Sequence, residues 1–217
     1  MSKLKLVGTG PGSPEYITPI AKKLVKNAEL VIGAERSLDL FQDYIKSEIL
    51  LLTASNVKRA IKQGVKFAQD GKNVVILSTG DPGFSGLLRT LVSVAGKDAD
   101  VDIIPGVSSI QVCAARLRMR WDTADLVSFH ADITNEKKVG MVDSLKKGKP
   151  VILLPDPHKF TPCDVAKFLI GHGIPKETPV GICEKLTIKN ENTTTSTLSG
   201  ILEQKFDRLC VMIVGTK

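Results

Sequence analysis

The stretch Lys5–Thr18, with the sequence KLVGTGPGSPEYIT, determines how the rest of the chain is interpreted. A short apolar run ends at Gly8, and two further glycines follow at positions 10 and 12. Thr18-Pro19 is typical of a helix N-cap followed by proline at the first helical position. The stretch therefore predicts a buried strand, a glycine-rich loop and a helix. Small molecules bind to loops of this kind at the carboxyl edge of open α/β sheets.

The glycine loop matches neither of the two common phosphate-binding fingerprints. Ser13 stands where the dinucleotide fingerprint requires its third glycine, and the predicted helix begins several residues late. No Lys-Ser or Lys-Thr pair follows the glycines, which excludes a P-loop. A plain structural turn between strand and helix remains an alternative to a ligand-binding loop, and the loop alone identifies no ligand.

Bulk composition restricts the class of protein. The chain has 217 residues, a formal net charge of +7 and 42% hydrophobic residues, and no apolar run approaches the ~20 residues of a membrane span. Without a signal-peptide pattern, it is predicted to be cytoplasmic and not bound to a membrane. Nucleic acid is disfavoured as a partner because aromatics are only 5% and the lysines are dispersed. The four cysteines form no C-x-x-C pair, which predicts buried free thiols and no metal site.

Alternating apolar strands and one-faced helices predict an α/β fold with a parallel sheet. The basic segment Arg116–Thr123, which contains the only tryptophan, is the predicted domain boundary, giving domains at 1–118 and 124–217. The last apolar run, 209–214, is too uninterrupted for an exposed edge strand. The predicted strands are 3–8, 29–32, 48–52, 73–77, 101–104, 126–129, 150–154, 178–184, 193–197 and 209–214. The predicted helices include 19–28, 38–41, 56–69, 87–95, 110–117, 136–146 and 198–202.

Three predicted strands end in glycine-bearing loops, which a parallel sheet would gather on one side. Asp81, in the loop after the fourth strand, suits hydrogen bonding to a polar ligand, and it suits capping of the following turn equally well. Ser108 and Ser109, after the fifth strand, can bind a carboxylate or ribose, or can act as simple N-caps. No catalytic dyad or triad motif is present. An enzyme with these loops would work by positioning a reactive cofactor, and no catalytic residue is assigned.

Three motifs, GTGPG at 8–12, STGDPGF at 78–84 and IPGVSSI at 104–110, together resemble the tetrapyrrole (corrin/porphyrin) methylases. The resemblance covers essentially the whole chain. It implies two α/β domains, S-adenosyl-L-methionine as cofactor in a cleft between them, and methyl transfer to an acidic tetrapyrrole. It is strongest to members that methylate ring carbon 5 in cobalamin biosynthesis. The alternatives are another corrin carbon, diphthine synthase, or a non-catalytic protein that binds a nucleotide-like ligand.

The resemblance also assigns site residues and partners. A homodimer and a C(15) methylase partner are implied. Arginine pairs bidentately with carboxylates, so three arginines are predicted to contact the acidic substrate: Arg36, Arg89 and Arg116. The positions that match the family's cofactor contacts are Pro11, Gly80, Asp81, Phe84, Ser109, Ile110 and Leu154.

Overall fold

The structure, a computed structural model, describes residues 3–96 and 99–215. The chain divides into two compact units, Met1–Ser108 and Ser109–Lys217. Each unit contains one five-stranded sheet with helices, so the predicted α/β class is confirmed.

The first unit follows the predicted order of strands and helices. Helix α2 begins three residues before its predicted start, because the amides of Ser37 and Leu38 donate to the Ala34 carbonyl directly after the second strand. A 3-10 turn at Pro14–Tyr16 was not predicted. The elements are β1 (Leu4–Gly8), α1 (Pro19–Lys26), β2 (Leu30–Gly33), α2 (Glu35–Asp39), β3 (Glu48–Leu51), α3 (Val57–Gln69), β4 (Val74–Ser78), α4 (Leu88–Ala95) and β5 (Val101–Ile104).

The sheet of the first unit is entirely parallel, in the order β3-β2-β4-β1-β5. Its three inner strands are buried along their whole length, as expected when helices cover both faces. Leu6 packs in the cluster that includes α3 and α4, and Val7 packs in the cluster that includes α1 and α2. The predicted N-cap of α1 is present, since Thr18 Oγ1 accepts a hydrogen bond from Ala21 N at 3.3 Å.

The second unit has a mixed sheet in the order β6-β7-β10-β8-β9, where only β6 and β7 are parallel. The last strand lies at the centre of the sheet, so the prediction that it is not an edge is confirmed. The predicted helix at 198–202 is a 3-10 turn, Ser199–Ile201. The elements are α5 (Ser109–Arg116), β6 (Asp125–Ser128), α6 (Asn135–Lys146), β7 (Val151–Leu154), α7 (Pro162–Gly171), β8 (Pro179–Glu184), β9 (Asn192–Thr197) and β10 (Cys210–Val214).

Helix α5 belongs to the second unit, although the sequence analysis assigned it to the first domain. It packs against β8 and β10, and a Cβ atom on Gly181 of β8 would lie 2.5 Å from Leu117 Cδ1. Glycine at position 181 therefore lets the residue after α5 lie directly on the sheet. Of the predicted buried thiols, Cys163 is only half-buried, and the other three are buried. No helix within residues 3–96 and 99–215 is long and apolar enough to cross a membrane.

Candidate functional site: three glycine loops and their supports

The three glycine-bearing loops follow β4, β1 and β5, which are adjacent strands of the first sheet. Thr9 N donates to the Ser78 carbonyl at 2.9 Å, and Gly80 N donates to the Gly10 carbonyl at 2.9 Å. Gly10 and Gly80 thus form an isolated antiparallel bridge beyond the parallel strands. The first two loops are therefore held together by their own backbones.

The glycines of these loops have two different roles. A Cβ atom on Gly106 would lie 2.4 Å from the Gly80 carbonyl oxygen, and one on Gly8 would lie 2.5 Å from Gly106 N. The space beside Gly8 and Gly106 is filled by backbone of neighbouring loops and is not available to a ligand. Gly80 differs, because among the described residues a Cβ atom there would meet only Ser108 Cα, at 3.9 Å, and its φ is +67°. Gly80 is therefore the glycine that leaves room for a ligand.

Asp81 connects two of the loops. Its Oδ1 accepts from Gly83 N at 2.8 Å, which is the turn-capping bond considered in the sequence analysis, and its Oδ2 accepts from Gly106 N at 3.2 Å. The second bond, which reaches from the β4 loop past β1 to the β5 loop, was not predicted from the sequence. A carboxylate oxygen has two lone pairs, so each oxygen of Asp81 can accept one more hydrogen bond. Asp81 can support the loops and contact a ligand simultaneously.

Side chains of α2 form hydrogen bonds with the loops after β1 and β4. Arg36 Nη2 donates to the Pro11 carbonyl at 3.0 Å, and the hydroxyls of Ser37 and Thr79 share a hydrogen bond of 3.3 Å. The predicted substrate arginine at position 36 therefore contacts the glycine loop that contains a predicted cofactor residue. Arg89, also predicted to contact substrate, is exposed on α4.

The loop after β4 is held close to the start of α4 by a hydrogen bond. Ser78 Oγ accepts from Leu87 N at 3.1 Å, a contact that the sequence analysis did not predict. A Cβ atom on Gly86 would lie 2.7 Å from that hydroxyl oxygen, so a side chain there would displace the loop. Phe84, a predicted cofactor residue, is half-buried in this loop, next to Ser85, whose φ is +59°.

The remaining predicted residues belong to the second unit. Ser109 and Ile110 begin α5, and Leu154 is the buried last residue of β7. At the end of α5, Arg116 Nε donates to Glu191 Oε1 at 2.6 Å, and this hydrogen bond lowers the pKa of the Glu191 carboxyl. A substrate carboxylate at Arg116 would have to compete with Glu191.

No set of three or more histidine, cysteine or acidic residues in the described part of the chain could hold a metal ion. The arrangement in the first unit is a rigid backbone frame with one carboxylate. Such a frame suits orienting a ligand, because its positions are fixed by the packing of several strands.

Comparisons with known proteins agree with this arrangement. The family model of the Tetrapyrrole (Corrin/Porphyrin) Methylases matches residues 3–202. A Methanocaldococcus jannaschii protein named "Probable cobalt-precorrin-7 C(5)-methyltransferase" is 38% identical over 209 residues, covering 96% of this chain and 95% of the relative. The cobalt-precorrin-4 C(11)-methyltransferase of the same organism is 32% identical over 228 residues, covering 98% and 87%.

A solved structure is also similar. The cobalamin biosynthesis precorrin-6Y methylase of Archaeoglobus fulgidus superposes with a TM-score of 0.73 at 26% identity, covering 99% of this chain and 98% of that one. Family model, relatives and structure each extend over nearly the whole chain, and the range of the family model includes all three glycine loops. The chain therefore belongs to the tetrapyrrole (corrin/porphyrin) methylases.

Proposed function

We propose that the protein transfers a methyl group from S-adenosyl-L-methionine to carbon 5 of cobalt-precorrin-7, giving cobalt-precorrin-8, in cobalamin biosynthesis. The observation that carries this choice is the 38% identity along almost the whole of a relative named for that reaction. Carbon 11 is the second candidate acceptor, because the relative named for it is 32% identical.

The loops of the first unit fit the cofactor. S-adenosyl-L-methionine carries a sulfonium and an ammonium group, and the Asp81 carboxylate retains acceptor capacity for such a cation. The open side of Gly80 allows a ligand to approach the backbone. The cofactor has no phosphate, which is consistent with the failure of both phosphate fingerprints. In this proposal Pro11, Gly80, Asp81 and Phe84 hold it. Ser109, Ile110 and Leu154 stay predicted cofactor contacts, which the resemblance alone implies.

The protein's part in the reaction is orientation and exclusion of water. When bound, the cofactor supplies an electrophilic methyl group on a good leaving group. The meso carbon of a reduced tetrapyrrole is already electron-rich through conjugation with the ring nitrogens, so the protein needs no nucleophile of its own. Holding two reactants in line contributes several kcal/mol, roughly 7–11 at best. The backbone contacts among Gly8, Gly80 and Gly106 give the first unit the rigidity that alignment needs.

The site of methylation is tested directly by incubating the protein with cobalt-precorrin-7 and a cofactor labelled with carbon-13 in its methyl group. The expected product has gained one labelled methyl by mass spectrometry, and carbon NMR places it at C5. Label at C11 of cobalt-precorrin-4 and none at C5 would support the second candidate. Tight binding of S-adenosylhomocysteine with no turnover of either corrinoid would identify a non-catalytic binding protein.

Arg36 is expected to act on cofactor affinity through Pro11. The Arg36→Ala variant loses the bond that fixes the Pro11 carbonyl, and we expect S-adenosylhomocysteine to bind about three- to tenfold more weakly by calorimetry, the effect of losing roughly 1 kcal/mol. Arg36→Lys, which retains a charged donor, should recover part of the loss. Arg59→Ala is the matched control, since it removes an exposed arginine on α3 and should leave cofactor affinity unchanged. A rise in the tetrapyrrole KM alone would instead assign Arg36 to substrate carboxylates.

The proposal includes a homodimer and association with a C(15) methylase, which the resemblance implies, and a cytoplasmic location, which was predicted from the absence of a signal-peptide pattern. Light scattering of the purified protein should give a mass of two chains of 23.4 kDa. Co-purification with a tagged C(15) methylase from the same organism tests the partner.

A further inference from the structure

The connection between β8 and β9, residues 185–191, has an unusual backbone conformation, and we call it the β8–β9 turn. Thr187 has a φ of +67°, which is an outlier for a β-branched side chain. Lys185 and Asn190 also have positive φ values, of +50° and +65°. Three of the five non-glycine residues with positive φ in the described part of the chain therefore lie in this turn. Such conformations persist only where surrounding contacts hold them.

The β8–β9 turn lies at the edge of the second sheet that carries Leu154, a predicted cofactor contact. β10 pairs with both β7 and β8, and Met212 lies opposite Leu153 on one side and Ile182 on the other. One strand therefore separates the end of β7 from the start of the turn, so the two lie roughly 10 Å apart. A ligand of the size of a nucleoside spans that distance. The position of the turn can therefore affect how tightly the proposed cofactor is held.

Glu191, at the end of the turn, holds the strained residue. Glu191 Oε2 accepts a hydrogen bond from Thr187 N at 2.6 Å, and Glu191 Oε1 accepts one from Arg116 Nε at 2.6 Å. The carboxylate thus uses one oxygen for the turn and the other for the last residue of α5. The Glu191 side chain is only 23% exposed, and solvent screens a partly buried ion pair less than an exposed one.

Helix α5 gives Arg116 a fixed position. The helix packs against β8 and β10. Cys113, three residues before Arg116, is fully buried, and its Sγ donates to the Val211 carbonyl at 4.0 Å. Because α5 is anchored on the sheet, the ion pair at its end ties the β8–β9 turn to the same support.

These contacts suit a different task from the substrate contact that the resemblance predicted for Arg116. A substrate carboxylate at Arg116 Nε would have to displace Glu191, the same carboxylate that holds Thr187 N. Binding the substrate there would therefore loosen the turn at the moment when the ligands need a rigid site.

We infer that Arg116 is a positioning residue, which acts through Glu191 to fix Thr187 and the β8–β9 turn, and so keeps this part of the second unit preorganised for the cofactor. The inference rests on the proposed function for the identity of the cofactor. The conformation of the turn itself can be measured without any ligand.

Variants of the ion pair test the inference. Arg116→Met and Glu191→Met break the same contact, so each should weaken S-adenosylhomocysteine binding by about three- to tenfold in calorimetry, and the double variant should bind no more weakly than Glu191→Met. Thr187→Gly, which adopts a positive φ without strain, should restore most of the affinity lost in Arg116→Met. Arg120→Met is the matched control, because it breaks the exposed pair with Asp122 outside the turn and should leave affinity unchanged.

Limited digestion with trypsin reports on the turn alone. Lys185 and Lys189 lie in the turn, and cleavage after them, mapped by mass spectrometry, should be about tenfold faster in Arg116→Met, because local opening becomes easier. Arg120→Met should cleave there at the wild-type rate. Cleavage that is faster throughout the chain would show global destabilisation and would contradict a local role for Arg116.

A substrate contact would give the opposite pattern. Glu191→Met would then free Arg116, so the KM for cobalt-precorrin-7 would fall in Glu191→Met and rise in Arg116→Met, with S-adenosylhomocysteine affinity unchanged. That pattern would overturn the inference, as would wild-type cleavage and affinity in Arg116→Met. Faster cleavage with wild-type affinity would overturn the link to the cofactor. Wild-type protein that binds no S-adenosylhomocysteine would overturn the proposed function, whereas digestion would still show whether Arg116 fixes the turn.

Discussion

Gly106→Ala is expected to destabilise the first unit by about 1–3 kcal/mol and to abolish measurable cofactor binding. The new methyl group would lie 2.4 Å from the Gly80 carbonyl oxygen and 2.8 Å from two backbone atoms of Gly8. Because all of these are backbone atoms of adjacent strands, the clash cannot be relieved by rotating a side chain. The three loops would have to separate. Urea unfolding measures the stability, and calorimetric titration with S-adenosylhomocysteine measures the binding.

The chain offers a matched control for this substitution. Gly140 lies inside α6, and among the described residues a Cβ atom there would meet nothing within 4 Å beyond its chain neighbours and the backbone of its own helix. Gly140→Ala adds the same methyl group and should stabilise the protein by roughly 0.5–1 kcal/mol, since alanine is the better helix former. If Gly106→Ala proved as harmless as Gly140→Ala, the close packing of the glycine loops would be wrong.

Asp81→Ala is expected to have the second largest effect. It removes the acceptor for Gly83 N and Gly106 N and also the charge proposed to face the cofactor. A hydrogen bond to a charged group contributes roughly 1.5–3 kcal/mol, so S-adenosylhomocysteine affinity should fall about tenfold or more. Turnover should fall further, because displacement of the loops misaligns the reactants.

Asp81→Asn separates the two roles of this side chain. The amide keeps one oxygen and can preserve one loop contact, but it lacks the negative charge, so stability should recover more than cofactor affinity. Asp43→Ala removes an exposed carboxylate elsewhere in the first unit and should change neither quantity. Unchanged cofactor affinity and turnover in Asp81→Ala would exclude this residue from the cofactor site.

Local sequence signals predicted most of the elements correctly. Thr18-Pro19 begins a helix as predicted, and Thr161-Pro162 begins one by the same means, because a hydroxyl cap and a fixed proline φ act within one turn of chain. The grouping of α5 with the second unit could not be predicted from local signals, because it depends on a distant contact. Nothing in the helix itself reveals that Gly181, some sixty residues later, accommodates Leu117.

In the candidate site, too, contacts between nearby residues could be predicted from the sequence, and contacts between distant residues could not. The turn bond from Gly83 to Asp81 was foreseeable, since aspartate caps turns two residues ahead. The bonds of Arg36 to Pro11 and of Gly106 to Asp81 each join residues 25 positions apart. The first exists because only β4 separates β2 from β1, and the second because only β1 separates β4 from β5. No single motif in the sequence reveals this strand order.

The position of β1 also has a consequence for how the protein is made. This strand is synthesised well before both of its neighbours, which pair Leu4 with Val74 and with Val101. Its backbone groups therefore have no sheet partner until most of the first unit has been synthesised. Pairings this distant in sequence slow folding, because the chain loses the conformational entropy of a long loop before the stabilising strand contacts form. The apolar run that begins the glycine loop is thus the segment of the first unit that depends longest on protection from aggregation during synthesis.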